Sequence, residues 1–194
     1  MRTAPPLLTE RLLLRSLTLE DTPDIQRLAG EYDVAATLCY MPHPYEDGMA
    51  EEWIHSCSEK FEHDKALNFA ITLRTDQNFI GAIEIRLDPE IENGELGFWI
   101  GKPHWGCGYC TEAAKAVAAY GFKVLKLNRI CAYHFENNLA SRRVLQKIGM
   151  RYEGRLEKFV QKRNRCEDSI GYGMLKADYD SQDPISSNKQ SEPI

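Results

Sequence analysis

The chain lacks the features that mark several protein classes. No apolar run in its 194 residues approaches the ~20 residues of a transmembrane helix, so no membrane association is expected. It also lacks a basic excess: the formal net charge of −5 argues against a nucleic-acid partner, because phosphate backbones are bound by clustered Lys and Arg. Charges interrupt the first apolar residues too early for a secretory signal. These absences favour a soluble, cytoplasmic protein.

The cysteines are scattered along the chain. A chain of this length can bury an adequate core without disulfides, so its six cysteines are expected to be reduced thiols. Cys107 and Cys110 form a CxxC, but no second CxxC or HxxxH pair supplies the other ligands of a zinc site, and no metal is expected. The CxxC is interpreted as a coincidence within a glycine-rich turn; the alternative is a redox CxxC, since a helix N-terminus lowers the pKa of a thiol.

Hydrophobic periodicity predicts alternating strands and helices. Thr18 and Asp21 resemble a capping box at the start of the first helix, and Gly149 is typical of the residue that follows a helix. The predicted helices cover residues 18–29, 47–65, 111–125 and 138–148. The predicted strands cover residues 11–15, 68–74, 79–87, 95–100, 129–135, 150–161 and 166–175.

This order indicates a single α+β domain over residues 1–176. Its sheet is expected to be mixed and largely antiparallel, with about seven strands flanked by four helices. Residues 31–45 are irregular in pattern. Residues 177–194 are rich in Ser, Asp, Pro, Gln and Asn, so they are expected to form a disordered tail.

A glycine-rich turn leads into the third predicted helix. Gly106 and Gly108 flank one residue, and the chain continues through Thr111 into an alanine-rich run. The start of a helix leaves backbone N–H groups unpaired, and the helix dipole adds partial positive charge there. The segment therefore predicts a binding site for a phosphate or pyrophosphate.

Three ordered blocks resemble the GCN5-related N-acetyltransferase (GNAT) superfamily, and its RimJ/RimL-like branch in particular. That branch runs E-L-G-Y-W, then W-G-K-G-Y-x-T-E-A, then N-x-x-S-x-x-V-L-x-K-x-G-F. The corresponding segments here are ELGFW from Glu95, WGCGYCTEA from Trp105 and NLASRRVLQKIGM from Asn138. The opening LTERLLLR, residues 8–15, resembles the first strand of the branch.

The resemblance implies the GNAT fold, with acetyl-CoA as co-substrate and no metal. The pyrophosphate would bind backbone N–H groups of the glycine turn, and the pantetheine arm would extend along the strand 95–100, which splays from the strand 129–135. An asparagine would hydrogen-bond the arm, and an arginine would reach an adenosine phosphate. The residues implied to bind acetyl-CoA are Phe98, Trp99, Ile100, Gly106, Cys107, Gly108, Tyr109, Cys110, Thr111, Asn137, Asn138 and Arg143.

Two positions depart from the family pattern. Cys107 stands where the family usually carries a basic residue, so weaker binding of the donor is expected rather than none. Leu145 stands where many members place a tyrosine that protonates the leaving thiolate, so that acid is absent.

The transfer chemistry points to two further side chains. An amine must be neutral to attack a thioester, and an α-amine, with a pKa of ~7.7–8.0, needs less help than a lysine at ~10.4. Glu95, at the start of its strand, is the candidate general base; the alternative is a carboxylate that is merely exposed or orients the acceptor. A backbone N–H near Trp99 or Ile100 would stabilise the oxyanion. Ser141 is the candidate donor to the leaving sulfur, unless its hydroxyl only bonds the helix backbone.

The predicted function is an acetyl-CoA-dependent N-acetyltransferase that works by direct attack in a ternary complex. The expected acceptor is a protein N-terminal α-amine, bound between residues 31–45 and the last hairpin. The alternatives are a small-molecule amine, such as a polyamine or an aminoglycoside-like compound, a non-catalytic acyl-CoA-binding module, and a thiol-redox or zinc protein. Monomer and homodimer are equally compatible with the sequence.

Overall fold

A computed structural model of the chain describes residues 4–162 and 165–182. These residues form one eight-stranded sheet with helices on both of its faces. The strands are β1 (Leu7–Leu8), β2 (Leu12–Ser16), β3 (Ala66–Leu73), β4 (Phe79–Asp88), β5 (Asn93–Ile100), β6 (Arg129–Phe135), β7 (Arg151–Lys162) and β8 (Arg165–Leu175). The α-helices are α1 (Thr22–Ala29), α2 (Tyr32–Ala35), α3 (Met49–Glu62), α4 (Tyr109–Lys123), α5 (Leu139–Lys147) and α6 (Lys176–Gln182).

The sheet contains one parallel pair, and that pair is short. The strand order is β1-β2-β3-β4-β5-β6-β8-β7, and each neighbouring pair except β5–β6 is antiparallel. Strands β5 and β6 pair only from Asn93 to Glu95, against Arg129 to Cys131. Beyond Glu95 they separate, while each remains paired with its other neighbour. We call this opening in the sheet the fork.

The predicted α+β class with a largely antiparallel sheet is confirmed, and the element counts differ slightly. Leu7 and Leu8 add a strand by pairing with Leu14 and Leu13. The four residues of α2 form a short helix inside the segment that looked irregular.

The expectation of disorder is wrong for residues 177–182, which lie in helix α6. Two contacts that the composition does not reveal hold this helix. The Tyr179 ring stacks on Phe122 with centroids 4.9 Å apart, and Lys176 pairs with Asp180 at 2.7 Å. Residues 183–194 lie outside the described residues.

The two faces of the sheet bury separate apolar clusters, and strand β5 contributes to both. Leu96 and Ile100 pack in the cluster that includes α4, whereas Trp99 packs in the cluster formed with α1, α2 and α3. Because successive side chains of a strand point to opposite faces, Glu95 lies on the same face as Trp99. Its carboxylate therefore faces the side of the sheet that α1–α3 and their connecting segment cover.

A buried ion pair fixes the entry into helix α1. The Asp21 carboxylate is only 4% exposed and accepts hydrogen bonds from Arg15 Nη1 at 2.8 Å and Nη2 at 2.6 Å. It also accepts one from the backbone N–H of Thr18 at 2.9 Å, which is one half of the predicted capping box. These contacts join β2 to helix α1, which packs in the same apolar cluster as Trp99.

Replacing Asp21 by Ala should lower the free energy of unfolding by about 2–3 kcal/mol, because it leaves the partly buried Arg15 guanidinium without its partner. The matched control is Asp24→Ala, which removes an exposed pair with Arg27 and should cost no more than about 0.5 kcal/mol. Urea denaturation of both variants measures the difference. Equal losses would contradict a structural role for the buried pair.

Candidate active site

The glycine turn has the backbone geometry of an anion-binding loop. Gly106 and Gly108 both lie in the left-handed region, with φ of +77° and +82°, on either side of Cys107. Such alternation directs successive N–H groups to one side. A Cβ at Gly106 would meet no atom within 4 Å, so the space above the loop is open.

Helix α4 begins directly after this loop, two residues earlier than predicted. Gly108 is its N-cap, and the first intrahelical bond runs from the Glu112 N–H to the Gly108 carbonyl at 3.1 Å. The N–H groups of Tyr109, Cys110 and Thr111 therefore have no acceptor within the helix. Together with the dipole of the 15-residue helix, they make the start of α4 a suitable binding place for a diphosphate.

The open edge of β5 presents backbone groups to the fork. The Gly101 N–H donates to the Ile80 carbonyl at 2.8 Å, so alternate residues, Trp99 among them, bond to β4. The N–H and C=O groups of Phe98 and Ile100 consequently point toward β6, from which β5 has separated. Trp105 Nε1 donates to the Ile100 carbonyl at 2.6 Å and closes that end. The Trp99 N–H is thus directed away from the fork, and of the two predicted oxyanion donors only that of Ile100 faces it.

Glu95 lies where the two strands part, as the last β5 residue paired with β6. Its carboxylate accepts a hydrogen bond from Arg86 on β4 and remains 35% exposed. Burial raises the pKa of the Glu95 carboxyl; the Arg86 cation opposes this shift, and the nearby Glu84 carboxylate adds to it. A partly accessible carboxylate with a raised pKa has the properties of a general base.

The far wall of the fork carries aromatic side chains. Tyr133 on β6 is 38% exposed, and its ring lies 5.6 Å from that of Phe159 on β7. Gly171 on β8 lies beneath it, where a Cβ would come within 3.4 Å of the Tyr133 ring.

Lys162, at the end of β7, joins the two segments that were expected to form the acceptor pocket. Its ammonium donates to the carbonyls of Ala35 at 3.0 Å and Ala36 at 2.5 Å, and lies 4.6 Å from the centre of the Phe135 ring. Residues of the 31–45 segment are thereby fastened to the last hairpin.

The start of α5 brings four of the predicted site residues together. Asn138 is the N-cap, and its Oδ1 accepts the Ser141 N–H at 3.1 Å. A hydrogen bond from Asn138 to a ligand must therefore come from its amide nitrogen. The Ser141 hydroxyl is half-buried and has no hydrogen-bond partner in the described part of the chain, so it is not engaged with the helix backbone. Asn137 and Arg143 are exposed near it.

Leu145 lies one turn further along α5 and is fully buried in the core cluster. Where the family pattern often has a tyrosine, this chain uses the position for packing. No proton donor is available from it.

The two cysteines of the CxxC differ in environment. Cys107 is exposed at the tip of the loop, whereas burial raises the pKa of the Cys110 thiol to about 12. The redox alternative for the CxxC depended on a lowered thiol pKa, and at Cys110 burial raises the pKa instead. Both thiols are free, and residues 4–162 and 165–182 contain no group of three His, Cys, Asp or Glu side chains arranged to hold a metal ion. Over the same residues, each helix is too short or too polar to cross a bilayer.

Sequence reasoning missed two arginines of the site. Arg86 lies directly across from Glu95 because of the register between β4 and β5, which the hairpin sets. Arg11 contacts the glycine loop from the turn between β1 and β2, although it is 96 residues from Cys107 in the chain. Arg11 was visible within the LTER block, but only as part of a strand pattern, and nothing local indicated its partner.

Comparison with known proteins agrees with this geometry. Residues 11–151 match the family profile described as the acetyltransferase (GNAT) domain. The uncharacterized N-acetyltransferase YnaD of Bacillus subtilis strain 168 is 33% identical over 172 residues, which cover 88% of this chain and 97% of the relative.

Two solved structures show the same fold. RimJ from Mycobacterium smegmatis, in complex with CoA-disulfide, has a TM-score of 0.76 at 22% identity and covers 90% of this chain and 87% of its own. The ribosomal-protein-S5-alanine acetyltransferase from Vibrio fischeri has a TM-score of 0.79 at 19% identity and covers 91% of this chain and 99% of its own. The profile match includes the glycine loop, the fork and the start of α5. The predicted family is confirmed: the chain belongs to the GNAT acetyltransferase family and is an acetyltransferase.

Proposed function

We propose that this acetyltransferase moves the acetyl group of acetyl-CoA to a primary amine, and that the acceptor is a protein N-terminal α-amine. The observation that carries the proposal is the fork: it combines β5 backbone groups with which β6 does not pair and a carboxylate with a raised pKa, on a strand that leads to an anion-binding loop. A site with these three features suits a long, anionic thioester that meets a cationic amine at one end.

The residues on the cleft walls fit acetyl-CoA from end to end. The N–H groups of residues 106–111 would hold the pyrophosphate, and the Phe98 N–H and C=O would bond the pantetheine arm as an added strand would. The amide nitrogen of Asn138 would hold the arm from the other side. Arg143 is exposed on α5 and would pair with a phosphate of the adenosine.

Within the fork, each catalytic group has one task. The bound thioester supplies the acetyl group: the amine nitrogen forms a bond to the acetyl carbon, the C–S bond breaks, and CoA leaves. Glu95 accepts the proton that the amine loses, directly or through water. The Ile100 N–H stabilises the negative charge on the acetyl oxygen, and the Ser141 hydroxyl donates to the departing sulfur.

The energetics favour an α-amine over a lysine as acceptor. Removing a proton at pH 7 costs roughly 1–1.4 kcal/mol for an α-amine and ~4.6 kcal/mol for a lysine side chain. A single carboxylate with a raised pKa, such as Glu95, can offset the smaller of these costs, that of an α-amine. The V. fischeri structure has the same fold and is named for a ribosomal-protein alanine acceptor, which is consistent with this choice.

A small-molecule polyamine is the second candidate acceptor. Glu84 and Glu95 lie on the same face of adjacent strands, with Arg86 contacting both. A pair of carboxylates of this kind would also suit an acceptor with more than one ammonium group. The fold does not separate the two classes, since function depends on the acceptor pocket.

The first experiment is a calorimetric titration with acetyl-CoA, followed by thiol release with matched amines. The panel contains peptides with a free N-terminus, the same peptides with a blocked N-terminus and one lysine, spermidine, and an aminoglycoside. Turnover only with free N-termini would support the proposal, and turnover only with spermidine or the aminoglycoside would replace the acceptor. Tight binding without turnover of any amine would instead support a non-catalytic acyl-CoA-binding module.

Replacing Gly106 or Gly108 by Ala should weaken acetyl-CoA binding about fivefold each, because the free loop would leave the left-handed conformation and recovering it on binding costs about 1 kcal/mol. Gly48→Ala is the control: Gly48 has φ of +89° with open space around it, at the start of α3. It should lower stability by a similar amount and leave the acetyl-CoA Kd unchanged. Calorimetry gives the Kd values, and equal affinities for all three variants would argue against the loop as the pyrophosphate site.

Replacing Glu95 by Gln should lower kcat by about 100-fold, the usual contribution of a general base.

In the enzyme that retains Glu95, replacing its two charged neighbours should shift the acidic limb of the kcat–pH profile in opposite directions. Glu84→Gln removes a like charge, lowers the pKa of Glu95 and moves the limb to lower pH; Arg86→Gln removes the opposing cation and moves it to higher pH. Measurements with one acceptor amine keep the titration of the amine constant. Shifts in the same direction would exclude Glu95 as the titrating base.

Alkylation with iodoacetamide should modify Cys107 rapidly and Cys110 slowly, since Cys107 is the exposed member of this pair and burial keeps the Cys110 thiol protonated. Modification at Cys107 should weaken acetyl-CoA binding, and bound acetyl-CoA should protect Cys107. Peptide mass spectrometry gives both rates. Complete modification of Cys107 with unchanged affinity would show that the ligand lies elsewhere.

A further inference from the structure

Arg11 joins the β1–β2 turn to the glycine loop and to helix α4. Its Nη1 donates to the Cys107 carbonyl at 3.0 Å, and its Nε donates to Glu112 Oε2 at 2.7 Å. Its guanidinium also lies over the Tyr109 ring, 4.6 Å from the centroid. One side chain therefore touches the tip of the loop and the first turn of α4 together.

The bond to the Cys107 carbonyl determines where the next N–H group points. In a planar trans peptide, the carbonyl of one residue and the N–H of the next point in opposite directions. Because Arg11 holds the Cys107 carbonyl from the β2 side, the Gly108 N–H is directed away from Arg11. The same contact thus holds a backbone donor of the loop outward, where an anion can reach it.

The second role concerns Glu112, an acidic residue next to an expected anion. Its carboxylate accepts hydrogen bonds from Thr9 Oγ1 at 2.6 Å and from the Arg11 N–H at 2.8 Å. Burial alone would raise the pKa of Glu112, but the bonds from Thr9 and Arg11 outweigh it and lower the pKa. Glu112 is therefore ionised at neutral pH, and without its partner it would repel a diphosphate at the start of α4.

We propose that Arg11 is a positioning residue of the diphosphate loop. From the β1–β2 turn it fixes the orientation of the Cys107–Gly108 peptide, and it neutralises the Glu112 carboxylate, which would otherwise repel an anion at the loop. The inference rests on the proposed acetyl-CoA site. Arg11 acts through the loop and through Glu112 rather than by touching the reacting atoms.

Arg11→Gln should raise the Kd and KM of acetyl-CoA about tenfold and leave kcat nearly unchanged, since hydrogen bonds to charged groups are the stronger class. Arg11→Lys should recover part of the loss, because a lysine keeps the charge without the fork of donors. The double variant Arg11→Gln/Glu112→Gln should also recover part of the lost acetyl-CoA affinity, because the second substitution removes the carboxylate that Arg11→Gln leaves unpaired. The control is Arg27→Gln, which breaks an exposed arginine–aspartate pair on α1 and should change neither constant.

Two further measurements separate a specific role from general damage. In the free enzyme, amide hydrogen exchange at residues 106–111 should become faster in Arg11→Gln than in Arg27→Gln. Acetyl-pantetheine, which lacks the diphosphate, should bind to Arg11→Gln and wild type equally well. Equal losses with acetyl-pantetheine and acetyl-CoA would overturn the proposal, as would no recovery in either rescue variant.

The outcomes also distinguish this inference from the proposed function. If the wild-type protein does not bind acetyl-CoA, the donor site itself fails. If the wild-type protein binds it and Arg11→Gln binds it equally well, only the role of Arg11 fails. Thermal unfolding of each variant shows whether it is folded, and Thr9→Val, which removes one bond to Glu112, remains available if Arg11→Gln does not fold.

Discussion

The early end of the parallel pairing between β5 and β6 is the constraint on which the rest of the site depends. Three residues of each strand pair, and both strands then continue apart. Unpaired backbone groups in a protein interior are costly, so a sheet that opens in this way requires either solvent or a ligand along the exposed edge. The opening also brings Glu95 to the apex, where it remains partly accessible.

The two ends of the site carry charge of opposite sign. At one end, glycine backbone and a helix start offer partial positive charge through N–H groups. At the other, Glu84 and Glu95 present carboxylates with a single arginine between them. An anionic donor and a cationic amine would each meet the opposite sign. Cys107 stands in this loop where the family pattern usually has a basic residue, and Arg11 contacts the loop from the β1–β2 turn.

Local patterns predicted much of the fold because they depend on short-range physics. The helix that ends at Gly149 was predicted from its asparagine cap and its glycine, and the strand Arg129–Phe135 from its apolar run. The disorder expected over residues 177–182 was wrong because Tyr179 stacks on Phe122, a contact 57 residues away that composition cannot show. The redox alternative for the CxxC considered only the helix start, whereas the burial that raises the pKa of Cys110 depends on tertiary packing.

By itself, the sequence determined the order of the longer elements, the glycine loop at a helix start and the candidates for base and proton donor, since these follow from side-chain chemistry and local backbone preference. Only the tertiary structure decided which of them meet. Arg86 faces Glu95 through strand register, and Arg11 reaches Glu112 across 101 residues. A one-residue slip in register would turn a side chain to the other face, and no local pattern specifies contacts at that range.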